Sequence, residues 1–254
     1  MKKLIVILIL IAAIIGGYYL WLKWSPNKFV DGYYLIPNDA VMVVETEDPV
    51  GNWQTFSSSN MWQGMKSFPP FEEITQNADM LDEVIQSNQQ VFALLGQKHL
   101  LISAHMTKPK DFDFVYYADM QEASKSNMIK ASLTSIIKQF DYVHTVRTYK
   151  GLQVNEFLDP KTRDVLSIIY IKNYLVCSYS KTLIDHVIET ASMPEQQVGM
   201  DARFTEVNQL TSAEGLCRVF INYKTFHQFL GIYMDDASGI QSLMDGMYFS
   251  GLDC

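Results

Sequence analysis

The chain has 254 residues, 48% of them hydrophobic, and a formal net charge of −8 at pH 7. This apolar content excludes a disordered chain, and the length can bury a real core as one domain or two small ones. Residues 1–30 hold four lysines and no acid, which leaves 16 basic and 28 acidic side chains for the rest, a formal −12; so acidic a body excludes nucleic acid and adhesion to anionic lipid as partners.

Leu4 to Leu22 runs for nineteen residues without a charge, after Lys2 and Lys3. A helix of that length covers roughly 30 Å at about 1.5 Å per residue, the hydrocarbon thickness of a bilayer. Tyr18, Tyr19, Trp21 and Trp24 gather at its end, where amphipathic rings favour the headgroup level, and Pro26 stops it. A cleaved signal peptide is the rival reading, but a cut after Gly16 or Gly17 would put Ile14 or Ile15 at the −3 position, which fits poorly. The run therefore reads as an uncleaved signal anchor, and the lysines before it favour an N-terminus in the cytoplasm. Ala12/Gly16 and Ala13/Gly17 are small residues four apart, a spacing that lets two membrane helices approach closely. The expected organisation is a transmembrane anchor over 1–25, a stalk over 26–38 and an extracytoplasmic α+β domain over 39–254.

Beyond the stalk, Ala40 to Thr46 reads as a central strand, and Asp48-Pro49 ends it. A helical segment with Trp53, Phe56, Met61, Trp62 and Met65 follows, then Pro69-Pro70. Phe71, Ile74, Ala78, Leu81 and Ile85 step at helical spacing, with an acidic outer side. Strands are expected at 91–96, 99–106 and 112–119. In the last two, Leu100, Ile102, Ala104 and Met106, with Phe112, Phe114, Tyr116 and Ala118, make the apolar set and so the expected core face. A helix at 123–140 precedes two hairpins, 142–157 around Lys150-Gly151 and 165–179 around Lys172-Asn173, since Gly and Asn accept φ > 0. Helices are expected at 181–192, 202–210, 224–234 and 238–246, with strands at 216–223 and 247–254. The fold class is α+β: mainly antiparallel sheet with helices packed on one face. An apolar strand, a polar step and a helix recur at 41–57, 114–137, 174–191 and 216–233, the pattern of an internal α+β repeat; a division into two repeats would fall near 120–140.

No P-loop, dinucleotide fingerprint, H-E-x-x-H or calcium loop occurs, so the sequence implies no cofactor and no metal. If Met106 pairs with Phe112, His105 faces Asp113, His99 faces Asp119, and Ser103 shares their face. Ser, His and Asp together raise a hydrolase reading. Adjacent positions on a flat strand rarely present an exposed nucleophile, and no Gly-rich turn is near to build an oxyanion hole. The face is therefore expected to be a half-polar outer surface, so that replacing His105 or Asp113 by alanine leaves the fold nearly intact. A Cys177–Cys217 disulfide is open in an oxidising compartment.

LIPNDAVMVVETEDPVGNW at 35–53, SSSNMWQGM after it, LCRVFINYKTF at 216–226 and MYFSGLDC at 247–254 resemble a bacterial envelope group known only as a domain of unknown function. The resemblance implies an exported, signal-anchored bacterial protein and supplies no catalytic residue. Relatives of this type continue into further β-rich sequence, so an N-terminal portion of a longer architecture is expected. The functional expectation is a non-enzymatic binding or scaffolding module held at the inner membrane with its domain in the periplasm and a protein partner in the envelope. The alternatives are an envelope hydrolase using the His105/Asp113 face, and a subunit of a membrane complex joined through Ala12, Ala13, Gly16 and Gly17.

Overall fold

The computed structural model describes residues 30–66, 98–120, 142–234, 242 and 244–254. The anchor with its small-residue face and aromatic belt, the helices expected around 71–85 and 123–140 and the strand at 91–96 lie outside the described residues, as does most of the helix at 238–246. Among the described residues no helix is long and apolar enough to cross a membrane.

The chain is α+β, and its described residues build an antiparallel sheet of nine strands. In chain order these are β1 (Met42–Thr46), β2 (Leu100–Lys108), β3 (Asp111–Asp119), β4 (Val143–Tyr149), β5 (Leu152–Leu158), β6 (Val165–Ile171), β7 (Tyr174–Ser178), β8 (Arg218–Asn222) and β9 (Phe249–Asp253). Their order across the sheet is β4-β5-β6-β7-β3-β2-β1-β8-β9. The helices are α1 (Pro49–Ser57), α2 (Asn60–Met65), α3 (Lys181–Thr190), α4 (Ala202–Leu210) and α5 (Tyr223–Tyr233).

Local chemistry explains most boundaries. Pro49 opens α1, and the Asp48 carboxylate accepts from Gly51 N at 3.0 Å. Asp201 caps α4 and Asn222 caps α5 in the same way. Lys150 and Gly151 take φ of 45° and 83°, and Lys172 takes 56°, as the two tight hairpins require. The β2–β3 register is the expected one: Met106 opposes Phe112 and His105 opposes Asp113.

The core face is the opposite of the one expected. Leu101, Ser103 and His105 of β2, with Val115 and Tyr117 of β3, are buried at 0–1% exposure. Of the expected set only Ala104 and Ala118 are buried, the latter in a smaller cluster with Met120, while Leu100, Ile102, Met106, Phe112, Phe114 and Tyr116 are half-buried. The first face carries the main cluster: Val43, Leu101, Val115, Tyr117 and Val176 from the strands meet Ile184 and Val187 of α3 and Phe204 of α4. Alternation alone could not choose between the faces, because Ser103 and His105 enter the core as a mutually satisfied pair, which removes the cost of burying them. Helices also do not keep to one face. The Phe229 ring of α5 meets Phe112 at 4.9 Å on the second face.

The expected stalk differs too. Its described part, 30–38, packs into the body: Gly32–Tyr34 form a 3₁₀ turn, and Tyr33, Leu35 and Ile36 are buried. A Cβ on Gly32 would overlap the Leu101 side chain and stand 2.9 Å from the Tyr174 ring, so only glycine lets this turn close on the sheet. The Cys177–Cys217 pairing is excluded. Cys177 lies on β7 and Cys217 just before β8, with β3, β2 and β1 between them. Four strand spacings separate the two by about 19 Å, far beyond disulfide reach.

Candidate functional site: two polar chains inside the first face

The first chain runs through His105. Its Nε2 is hydrogen-bonded to Ser103 Oγ at 2.8 Å, and its Nδ1 to Asp39 Oδ1 at 3.0 Å. Ser103 Oγ also lies 3.4 Å from the Tyr117 hydroxyl. His186 of α3 places Nδ1 3.7 Å from the other Asp39 oxygen. Both ring nitrogens of His105 are thus taken, and the carboxylate that holds it is Asp39, a turn residue ahead of β1, where the sequence pointed to Asp113. Burial pushes the Asp39 carboxyl up, but the His105 hydrogen bond and the charges of His105 and His186 outweigh it, and the net is below the usual carboxylate range. The connectivity is that of a Ser-His-Asp triad. The access is not: Ser103 is 0% and His105 1% exposed. Ser103 points into the packed face, where its hydroxyl is closed off from solvent. Nor is His105 a surface residue whose loss the fold would ignore.

The second chain centres on Glu45 of β1. Its Oε1 takes His99 Nε2 at 2.7 Å, and its Oε2 takes Arg218 Nε at 2.5 Å, with the Arg218 Nη2 on the same oxygen. His99 Nδ1 lies 3.5 Å from the Tyr174 hydroxyl, which accepts from Gly32 N at 3.0 Å. The chain joins β1, β8, the approach to β2, β7 and the 3₁₀ turn. Burial acts on Glu45 upward, yet the His99 hydrogen bond and the Arg218 charge hold it below its usual value. For His99 burial acts downward, and the Glu45 hydrogen bond and charge overcome it, so its pKa is raised.

Glu45, Glu47 and His99 each bring a ligand atom within 4.8 Å of the others, close enough to suggest a cation. The donor set does not fit one. Both Glu45 oxygens are engaged, and a guanidinium already supplies the positive charge, so an incoming divalent ion would meet Arg218 in its place.

This arrangement sets a pH dependence with a definite sign. His99, raised in the fold, contributes stability that is full below its unfolded pKa of about 6.5 and is lost as pH rises through the folded value. Glu45, lowered in the fold, contributes stability that is present above about 4.5 and is lost as pH falls through its folded value. Urea midpoints should therefore fall as pH rises above about 6.5 and through the raised folded value of His99, and His99→Gln should flatten that limb while leaving the acid limb of Asp39. An unchanged alkaline limb in His99→Gln would remove His99 from the account.

The sequence singled out Ser103, His99 and His105, and the structure engages all three. It missed Asp39, Glu45 and Arg218. The one available signal was a glutamate inside the apolar strand VMVVET and an arginine opening the strand RVFIN. The chain matches no family model, no curated protein and no solved structure. Fold and site together define an α+β protein whose described residues form a nine-stranded antiparallel sheet, with two polar chains that run from the buried Ser103, His105 and Glu45 out to the exposed Asp39 and the part-exposed His99 and Arg218.

Proposed function

We propose that the protein is a membrane-anchored, non-enzymatic binding or scaffolding module of the bacterial envelope, with its N-terminus in the cytoplasm and its folded body in the periplasm. The observation that carries the location is the uncharged run Leu4–Leu22 closed by Tyr18, Tyr19, Trp21 and Trp24. The non-enzymatic part rests on the burial of Ser103 and His105, which makes their chain with Asp39 a tie between strands and turn. The resemblance of 35–53 and 216–226 to the uncharacterised envelope group points the same way.

An internal repeat belongs to this reading. A strand followed at once by a helix recurs in β1–α1, β7–α3 and β8–α5, and SYSKTLIDHVI at 178–188 shares local detail with INYKTFHQFL at 221–230. In this view one supersecondary unit was copied to extend the sheet. Of the alternatives, the hydrolase keeps the triad connectivity as its support, and the complex subunit keeps Ala12, Ala13, Gly16 and Gly17 as a contact face for another helix.

The test uses the intact chain expressed in bacteria. It should sediment with membranes at its full mass, external protease on spheroplasts should digest the body, and mild detergent should bring down a protein partner at constant ratio. A soluble, protease-protected product with its N-terminus near Tyr18 would overturn the anchor. Turnover of an activated ester that disappears in Ser103→Ala would overturn the non-enzymatic reading in favour of the hydrolase.

A further inference from the structure

Two thiols meet where β9 joins β8. Cys254 N donates to Cys217 O at 2.9 Å, and Cys217 N donates to Cys254 O at 3.2 Å. This mutual exchange continues the ladder in which Arg218 opposes Asp253. Residues in such a hydrogen-bonded antiparallel pair have Cα atoms about 5.5 Å apart and side chains on the same face. A disulfide needs Cα atoms roughly 4.4–6.8 Å apart and Cβ atoms roughly 3.5–4.5 Å apart; the ladder position meets the first condition, and a hydrogen-bonded pair holds its Cβ atoms somewhat wider than the second, so closure draws the two strand ends together.

The surroundings hold both residues in place. Leu216, next to Cys217, gives its carbonyl to Thr46 Oγ1 at 3.0 Å and to Asn52 Nδ2 at 2.7 Å, which pins it to β1 and α1. Leu216 N donates to Cys254 O, and Gly215 N donates to Asp253 Oδ1 at 2.9 Å. Cys254 is exposed and Cys217 half-buried. Burial, and then the Cys254 thiol hydrogen-bonded beside it, push the Cys217 thiol up to about 11. The third thiol differs. Cys177 sits half-buried across the sheet on β7, four strand spacings from Cys217, and burial pushes its thiol up to about 12.

We propose that Cys217 and Cys254 form a redox-active pair that closes to a disulfide by exchange with an external disulfide and so staples β9 to β8. The exposed Cys254 thiolate attacks one sulfur of the incoming disulfide and expels the first thiolate, leaving a mixed disulfide on Cys254. Cys217, as its thiolate, then attacks the Cys254 sulfur and expels the second. The two cysteines are oxidised, the external disulfide is reduced to two thiols, and the two protons lost by the cysteines go to those products. Among the described strands β9 lies at one edge of the sheet and pairs with β8 alone, so this bond adds a covalent tie to an edge strand. The closed form belongs to an oxidising compartment, although the chemistry itself does not depend on where the protein resides.

The test uses the reduced full chain in detergent with oxidised glutathione as the external disulfide. After quenching and non-reducing digestion, a linked peptide joining Cys217 to Cys254 should carry a mass loss of two hydrogens, while Cys177 appears in no linked peptide. Cys217→Ser should stop at a Cys254–glutathione adduct. The urea midpoint of the oxidised chain should exceed that of the reduced one, and the difference should vanish in Cys217→Ser and in Cys254→Ser. Glutathione remaining on Cys254 of the unsubstituted chain, a link between two molecules in place of the internal one, or an unchanged midpoint after closure would each overturn the proposal.

Discussion

Replacing Glu45 with alanine is expected to cost about 3–5 kcal/mol of folding stability, the range seen when one partner of a buried ion pair is removed. The Glu45 side chain keeps 7% exposure, and its two partners, His99 and Arg218, keep 18% each. Alanine would leave a guanidinium with no carboxylate, and it would free His99 to lose its proton. Most of the loss comes from the uncompensated charge, so replacing both ends should behave differently. Glu45→Leu combined with Arg218→Met should recover a large part of what Glu45→Ala loses, because two apolar groups need no partner. Urea unfolding of the single and double variants is the measurement. A loss below about 1 kcal/mol for Glu45→Ala would mean that solvent reaches this chain and screens it as it screens a surface pair.

The second large effect is expected at Phe204. It is the one buried residue of α4, at 1% exposure. Its ring meets Tyr33 at 4.9 Å, Phe220 at 5.2 Å and Phe249 at 5.6 Å. A single side chain therefore ties α4 to β8, to β9 and to the 3₁₀ turn at Gly32–Tyr34. Phe204→Ala should cost about 3–5 kcal/mol, and Phe204→Leu, which keeps most of the volume, less than about 2. Because α4 has no other buried anchor, its amides should also exchange with solvent faster than those of α3, which buries Leu183, Ile184, Val187 and Ile188. Equal protection of the two helices in Phe204→Ala would show that α4 is held by its ends and not by its ring.

Both residues lie on the face that alternation assigned wrongly, and the reason is physical. Binary patterning asks which of two sets along a strand is more apolar. In β2 the set Leu100, Ile102, Ala104 and Met106 wins that comparison, yet only Ala104 of it is buried, while Leu101, Ser103 and His105 all face the main core. A serine and a histidine are costly inside only when unpaired, and the group that completes their chain, Asp39, lies 66 residues before His105. Nothing within the span of a strand reveals such a partner. Glu45 and Arg218, 173 residues apart, pose the same problem.

Other features were legible because their causes are local. The hairpins at Lys150-Gly151 and Lys172-Asn173 form where expected; Gly151 takes the positive φ foreseen for it, while in the second turn Lys172 takes it in place of Asn173. Asp48-Pro49 and Asn222 start helices with their own side chains and ring. The pairing of Met106 with Phe112 follows from the length of the turn between them. By itself, then, the sequence determined the α+β class, the antiparallel hairpins and most helix boundaries, since each depends on dihedral preferences and caps within a few residues. Only the tertiary structure decided that β7 joins β3 and β1 joins β8, which sheet face is the core, and which cysteines stand opposite each other, because those choices depend on burial and charge pairing between segments far apart in the chain.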